Sequence, residues 1–282
     1  MVLWVLRVAI PAVLAITVAC GSSAAPVRTE QGVVRNGDVE LQWFLDFPVG
    51  AGPFPAVVFG PGSGQVSATD ESTIDIARGL NGIGFAVMRY DKRGTGGSGG
   101  EVIGVSTANS DVTIPLLAED MQAVLDQLLT DPRIDLQRVG LVGASQAAWY
   151  MPIVAQATAA VGFMVVITGG VAPVGFQNRY EELTRLDGIS QEEAEAELGL
   201  LSDFTGPLGF NTIPILETLG IPLLYLFGGN DEFGPLRANL VAVGELAAAG
   251  VELEASVYDG AGHVLRGVDF WPDVASWLEG VW

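Results

Sequence analysis

Histidine and cysteine each occur once in this chain of 282 residues, and basic side chains are few. Cys20 has no partner for an intramolecular disulfide, and His263 alone cannot supply a two-histidine zinc cluster, which argues against metal catalysis. A calcium or magnesium site made of carboxylates alone stays open by composition, and no EF-hand spacing is present. No metal is expected. Thirteen Lys and Arg stand against 33 Asp and Glu, a formal charge of −20. That balance argues against nucleic acid, or an anionic membrane surface, as an electrostatic partner. No acidic run is long enough to suggest a dedicated cation site, and the charge reads as a solvated, self-repelling surface. Internal repeats are missing. The one cofactor-like string, Gly94, Gly96 and Gly99 in G-x-G-x-x-G spacing, would need a helix to open at once. Residues 102–111 are rich in Gly, Ser and Asn instead, so the dinucleotide reading is discarded and no cofactor is expected.

What is abundant is apolar: 49% hydrophobic against 16% charged residues. This is enough to bury a large core, as one long domain or two small ones. At the N-terminus a single charge, Arg7, precedes an uncharged run over 8–19, long enough for a signal-peptide core and short for a bilayer span of about 20 residues. Thr17-Val18-Ala19-Cys20 resembles a bacterial lipobox, with Thr17 in place of the usual leucine. By that resemblance residues 1–20 form a signal peptide, Cys20 becomes the lipidated first residue, and 21–38 are a tether. The alternatives are cleavage near Ala24 or Ala25, or an uncleaved anchor. In each case the rest of the chain is exported, as an envelope lipoprotein or a secreted protein, and any membrane contact is through lipid on Cys20.

The folded domain is expected over 39–282. Strand patterns occupy 39–47, 55–59, 85–90, 139–143, 163–168, 222–227 and 251–258; helical ones occupy 69–80, 116–129, 149–160, 236–249 and 270–278. Their alternation predicts a mostly parallel central sheet with helices on both faces. Between 171 and 220 the character changes to acidic helical stretches at 180–186 and 191–201 and a loop-like run over 206–214. An insertion of this length after a strand is a natural helical cap over a pocket. After the strand at 85–90, Asp91 and Arg93 are expected to pair and brace their loop.

Three loops carry the chemistry-bearing residues. An apolar strand runs into Gly143-Ala144-Ser145-Gln146-Ala147, a small-residue turn of the form G-x-S-x-A that would push one serine out of the sheet. Gly229-Asn230-Asp231 and Gly260-Ala261-Gly262-His263 follow two later strands. In a parallel sheet such loops gather at one edge, where ligands bind. A fourth, Gly60-Pro61-Gly62-Ser63-Gly64, could turn backbone amides toward a developing anion. Asp259 and Glu232 are close enough in sequence to replace Asp231 as the acid.

With these loops in the order nucleophile, acid, histidine, the chain resembles serine hydrolases of the α/β-hydrolase superfamily. The resemblance also covers Arg89-Tyr90-Asp91-Lys92-Arg93-Gly94, and it leaves the cap and the extreme N-terminus unmatched. It implies an α/β-hydrolase fold with Ser145 as nucleophile, His263 as its base and Asp231 orienting the imidazole. The backbone N–H groups of Gln146 and Ser63 would bind the oxyanion, with Gly62 as the alternative to Ser63. A serine at this position sets the chain apart from relatives that use aspartate or cysteine as nucleophile. The implied reaction is hydrolysis of carboxylic esters of small-molecule acyl substrates, with thioester or peptide hydrolysis as runners-up. The other open reading is a surface lipoprotein that keeps the fold and binds without catalysis, prompted by Ala147 and Ala148 at the elbow.

Overall fold

The computed structural model describes residues 28–282. The signal-peptide and lipobox expectations, Cys20 included, lie outside the described residues. Eight strands form one sheet: β1 (Arg28–Asn36), β2 (Val39–Phe47), β3 (Phe54–Gly60), β4 (Ala86–Tyr90), β5 (Ile134–Ala144), β6 (Val161–Ile167), β7 (Leu223–Gly228) and β8 (Leu253–Tyr258). Their order is β1-β2-β4-β3-β5-β6-β7-β8. β2 runs antiparallel to β1 and β4, and every pairing from β3 to β8 is parallel. The connecting helices are α1 (Glu71–Gly82), α2 (Ser110–Leu129), α3 (Ala147–Ala157), α4 (Val174–Glu181), α5 (Gln191–Leu198), α6 (Ile213–Leu216), α7 (Leu236–Ala248) and α8 (Trp271–Glu279).

Side chains on a strand alternate between faces, and the central parallel strands β3 and β6 are apolar on both. Ala56 and Val58 of β3, with Met164 and Val166 of β6, pack under α2, α3 and α7. Val57, Phe59, Phe163, Val165 and Ile167 pack under α1 and α8. Burial on both faces explains why these strands read as continuous hydrophobic runs. Each fully buried Val or Phe contributes about 1.5–3 kcal/mol of transfer free energy. At the antiparallel end, Arg89 of β4 donates through Nε to Asp46 Oδ2 of β2 at 2.6 Å, and both side chains are buried.

The fold begins earlier than the sequence pattern indicated. Residues 28–36, expected in a tether, form β1, which pairs with β2 along its whole length. β1 is an edge strand with charged and polar residues at Arg28, Glu30, Gln31 and Arg35. Such polarity blunts an edge against unwanted pairing and also hides the apolar periodicity by which strands are read. α2 likewise starts at Ser110, ahead of the expected residue 116, with Pro115 inside it. Burial of Ser110, Thr113 and Ile114 outweighs the hydrogen bond that the proline removes.

The expected Asp91–Arg93 pair is not formed. Asp91 accepts from Ser67 Oγ, Ala68 N and Gly97 N, each at 2.7 Å. Arg93 instead forks onto Asp120 of α2 at 2.8 and 2.6 Å. Both side chains do brace the loop after β4, Asp91 through Gly97 within it and both through partners from outside it.

The insertion after β6 holds α4, a π-helical turn Glu182–Leu186, α5 and α6. It has its own small core of Phe176, Tyr180, Leu183, Ala194 and Leu198. α5 opens with a capping box, in which Ser190 Oγ accepts from Glu193 N at 3.2 Å and Glu193 Oε2 accepts from Ser190 N at 3.1 Å.

Candidate active site

The chain reverses from β5 into α3 at Ser145, whose φ is +51°. For a residue with a side chain this conformation costs about 1–3 kcal/mol and survives only where surrounding structure imposes it. Here Ser145 N donates to Ile167 O at 2.9 Å and Ala148 N donates to Ser145 O at 3.0 Å. Ala147, where the commoner elbow has glycine, fits because its neighbours lack side chains. A Cβ on Gly143 would stand 2.5 Å from the Ala147 methyl and one on Gly60 3.0 Å from it. The space that a fifth-position glycine would leave is supplied from the strands.

The acid and histidine loops are stitched to each other. Gly229 N donates to Tyr258 O at 2.9 Å and Asn230 N to Ala261 O at 2.8 Å. Asp231 is buried, and its carboxylate accepts from Phe233 N at 2.8 Å and Gly234 N at 3.2 Å. The same carboxylate meets His263 Nδ1 at 2.8 Å through Oδ2 and 3.0 Å through Oδ1. A carboxylate can only accept, so Nδ1 carries a proton, and in the neutral ring Nε2 is then the nitrogen with the free lone pair. Asp259 and Glu232, the alternative acids, make no such contact with His263.

Ser145 and His263 line one cavity of about 920 Å³, together with Gly62 and Ser63. That volume is in the range of small-molecule sites. His263 directs its hydrogen bonds to Asp231 and makes none to Ser145 in this structure. Nucleophile–base contacts are commonly loose until substrate is in place. Gln146 stands behind the elbow with its side chain buried. The three non-glycine residues with positive φ among those described, Ser145, Thr168 and Leu265, all line this cavity. Strain concentrated in this way is a mark of a working site.

Several neighbours had no signal in the sequence. The Phe233 ring packs on the His263 imidazole at 4.6 Å between centroids, and the Arg185 guanidinium lies 4.0 Å from the Phe233 centroid. Tyr180 donates to Asp231 O at 3.3 Å and Thr184 to Glu232 O at 2.8 Å, so α4 and its π turn buttress the acid loop. The insertion contributes Glu181 and Arg185 to the cavity wall; α1 and residues 263–271 supply much of the rest. Burial raises the Glu181 carboxyl above the usual glutamate value, with the hydrogen bond from Gln177 and then Arg185 and His263 opposing the shift.

The strand order, the tight turn after β5 and the paired loops after β7 and β8 together define the α/β-hydrolase fold, and this chain has it. Among solved structures, the esterase Pf2001 of Pyrococcus furiosus is 15% identical and superposes with a TM-score of 0.67, over 90% of this chain and 93% of that one. A 2,6-dihydroxy-pseudo-oxynicotine hydrolase is 19% identical with a TM-score of 0.61, over 91% of this chain and 68% of the other. In sequence, esterase EstD of Thermotoga maritima is 29% identical over 226 residues, covering 72% of this chain and 52% of that protein. The chain thus spans about half the length of that curated relative. No protein-family model matches the chain.

Proposed function

We propose that this chain is a serine hydrolase that cleaves carboxylic esters through an acyl-enzyme. One observation carries the reading: a serine in strained geometry and a carboxylate-paired histidine open onto the same cavity. Likeness to a named esterase in sequence supports the choice of ester. A serine hydroxyl is too weakly acidic to attack unaided, so His263 Nε2 takes its proton as Oγ bonds to the carbonyl carbon. The carbonyl electron pair moves onto oxygen, where the N–H groups of Gln146 and Ser63 bind it. When the tetrahedral centre collapses, the C–O bond to the alcohol breaks and His263 returns the proton to the leaving oxygen. Water then repeats the sequence on the acyl-enzyme, releasing the acid and restoring Ser145. Asp231 holds the productive tautomer and stabilises the imidazolium.

A serine-directed fluorophosphonate tests the reading. Labelling of the wild type that is lost in Ser145→Ala supports it, whereas a folded wild type that takes no label favours a binding protein. Short aryl esters set against aminoacyl amides separate esterase from peptidase, and amide turnover well above ester turnover would reverse the choice. The export proposal rests on residues 1–20 alone: Cys20→Ala should move the protein from the membrane fraction to the soluble extracytoplasmic one.

A further inference from the structure

The chain has a single lysine, Lys92, among its 13 basic residues, and it is buried directly behind the proposed oxyanion site. The side chain is 4% exposed. Its ammonium donates to Gly62 O at 2.8 Å and to Gln146 Oε1 at 2.6 Å, both neutral oxygens. Taking an ammonium out of water without a carboxylate to pair it is costly, and burial alone lowers its pKa to about 8. A position that tolerates such a cost invites a reason.

The two acceptors supply one. Gly62 O and the Ser63 N–H belong to the same peptide unit. A trans peptide is planar, so its carbonyl and its N–H point in opposite directions. A cation that holds the carbonyl from behind therefore aims the N–H away from itself. The loop lies against the nucleophile, since a Cβ on Gly62 would stand 3.5 Å from Ser145 Cβ. Tyr150 of α3 donates to the preceding carbonyl, Pro61 O, at 2.6 Å, so consecutive carbonyls are held from the buried side. The second acceptor, Gln146, is the residue whose own N–H would form the other half of the site. A charge-assisted bond to a peptide oxygen also polarises that peptide and strengthens its N–H as a donor.

Resting on the hydrolase reading above, we infer that Lys92 is a positioning residue that ties the two oxyanion-binding loops together and orients the Ser63 amide for the developing charge. It touches no substrate and transfers no proton.

The test is Lys92→Met, which keeps an unbranched side chain and removes the donors, assayed on a short aryl ester and with an alkyl boronic acid as transition-state analogue. Acylation and deacylation both pass through an oxyanion, so kcat should fall about 10²-fold, in the range seen for a lost oxyanion donor, with KM within about threefold. Boronate affinity should fall in step with kcat. Gln146→Met, which leaves the Gly62 bond in place, should lower kcat by a smaller factor. The double variant should lose less than the product of the two, because both changes act on one linkage. A cooperatively folded Lys92→Met with kcat and boronate affinity within threefold of wild type would overturn the inference. So would a loss confined to KM. Should Lys92→Met fail to fold, Gln146→Met decides, and unchanged kcat there sinks the tether. Failure of the hydrolase reading is a separate result, seen as a wild type that neither labels with fluorophosphonate nor turns over ester.

Discussion

The sheet edge and the exposed face of the insertion after β6 hold their residues in place by opposite means. At the edge, the groups that matter are buried and determined by shape: Ser145 is forced to positive φ, Gly143 and Gly60 make room for Ala147, and Asp231 is surrounded by amide donors and an imidazole. In the insertion, Arg179 pairs with Glu182 and Glu197 at 3.1 and 2.9 Å, with all three side chains substantially exposed. Exposed pairs of this kind add little, whereas buried linkages cost much when half of one is removed. The difference implies that the edge is a rigid frame, and that the exposed face of the insertion, away from the Tyr180 and Thr184 bonds that buttress the acid loop, can vary around it.

Breaking the edge should therefore have the largest effects. His263→Ala removes the proposed base and should lower ester turnover by about 10⁴–10⁶-fold with the thermal transition retained, as measured by steady-state kinetics alongside calorimetry. Asp46→Ala strands Arg89 in the interior between β2 and β4 and should cost about 3–5 kcal/mol, read from urea unfolding. Gly143→Ala drives a methyl into Ala147 and should lose about 1–3 kcal/mol from overpacking, together with most activity, since the strain falls on the elbow itself. In the insertion, Ser190→Ala removes the cap of α5 and should cost about 1 kcal/mol. Hydrogen exchange should place that loss in α5 and leave the protection of β5 and β7 unchanged; a loss shared by both regions would dissolve the distinction drawn here.

The smallest effect is gated by pH. Glu181 has a raised folded pKa through burial, so between the ordinary glutamate value and that raised value the folded state holds more protons than the unfolded one. Stability then falls as pH rises through this window. Glu181→Gln should flatten that slope, gaining on the wild type as pH passes above it, measured by unfolding at a series of pH values.

How much of this was open to inspection in the residues differs from place to place. β2 spans Val39–Phe47, as its pattern indicated, because it is a strand with enough buried positions to show. β1 escaped notice because an edge strand with polar residues looks like a linker until its partner is known. The placing of Ser145, Asp231 and His263 on loops that follow strands at one side of the sheet was legible, because strand-to-loop boundaries are local and a parallel sheet brings such loops together. Asp91 and Arg93 were correctly seen as structural but matched to each other, since a sequence shows neighbours and not the Asp120 that reaches Arg93 from α2. Phe233 on His263, and Lys92 between Gly62 and Gln146, had no local signature at all.

The amino-acid sequence by itself determined the alternation of strands and helices and the order of the three chemistry-bearing loops, because hydrophobic period and turn residues act over a few positions. Tertiary structure alone decided which carboxylate meets the histidine, how an alanine fits the elbow and what a lone buried lysine holds. Each of those depends on atoms brought within a few ångströms from remote parts of the chain, and no local pattern encodes such distances.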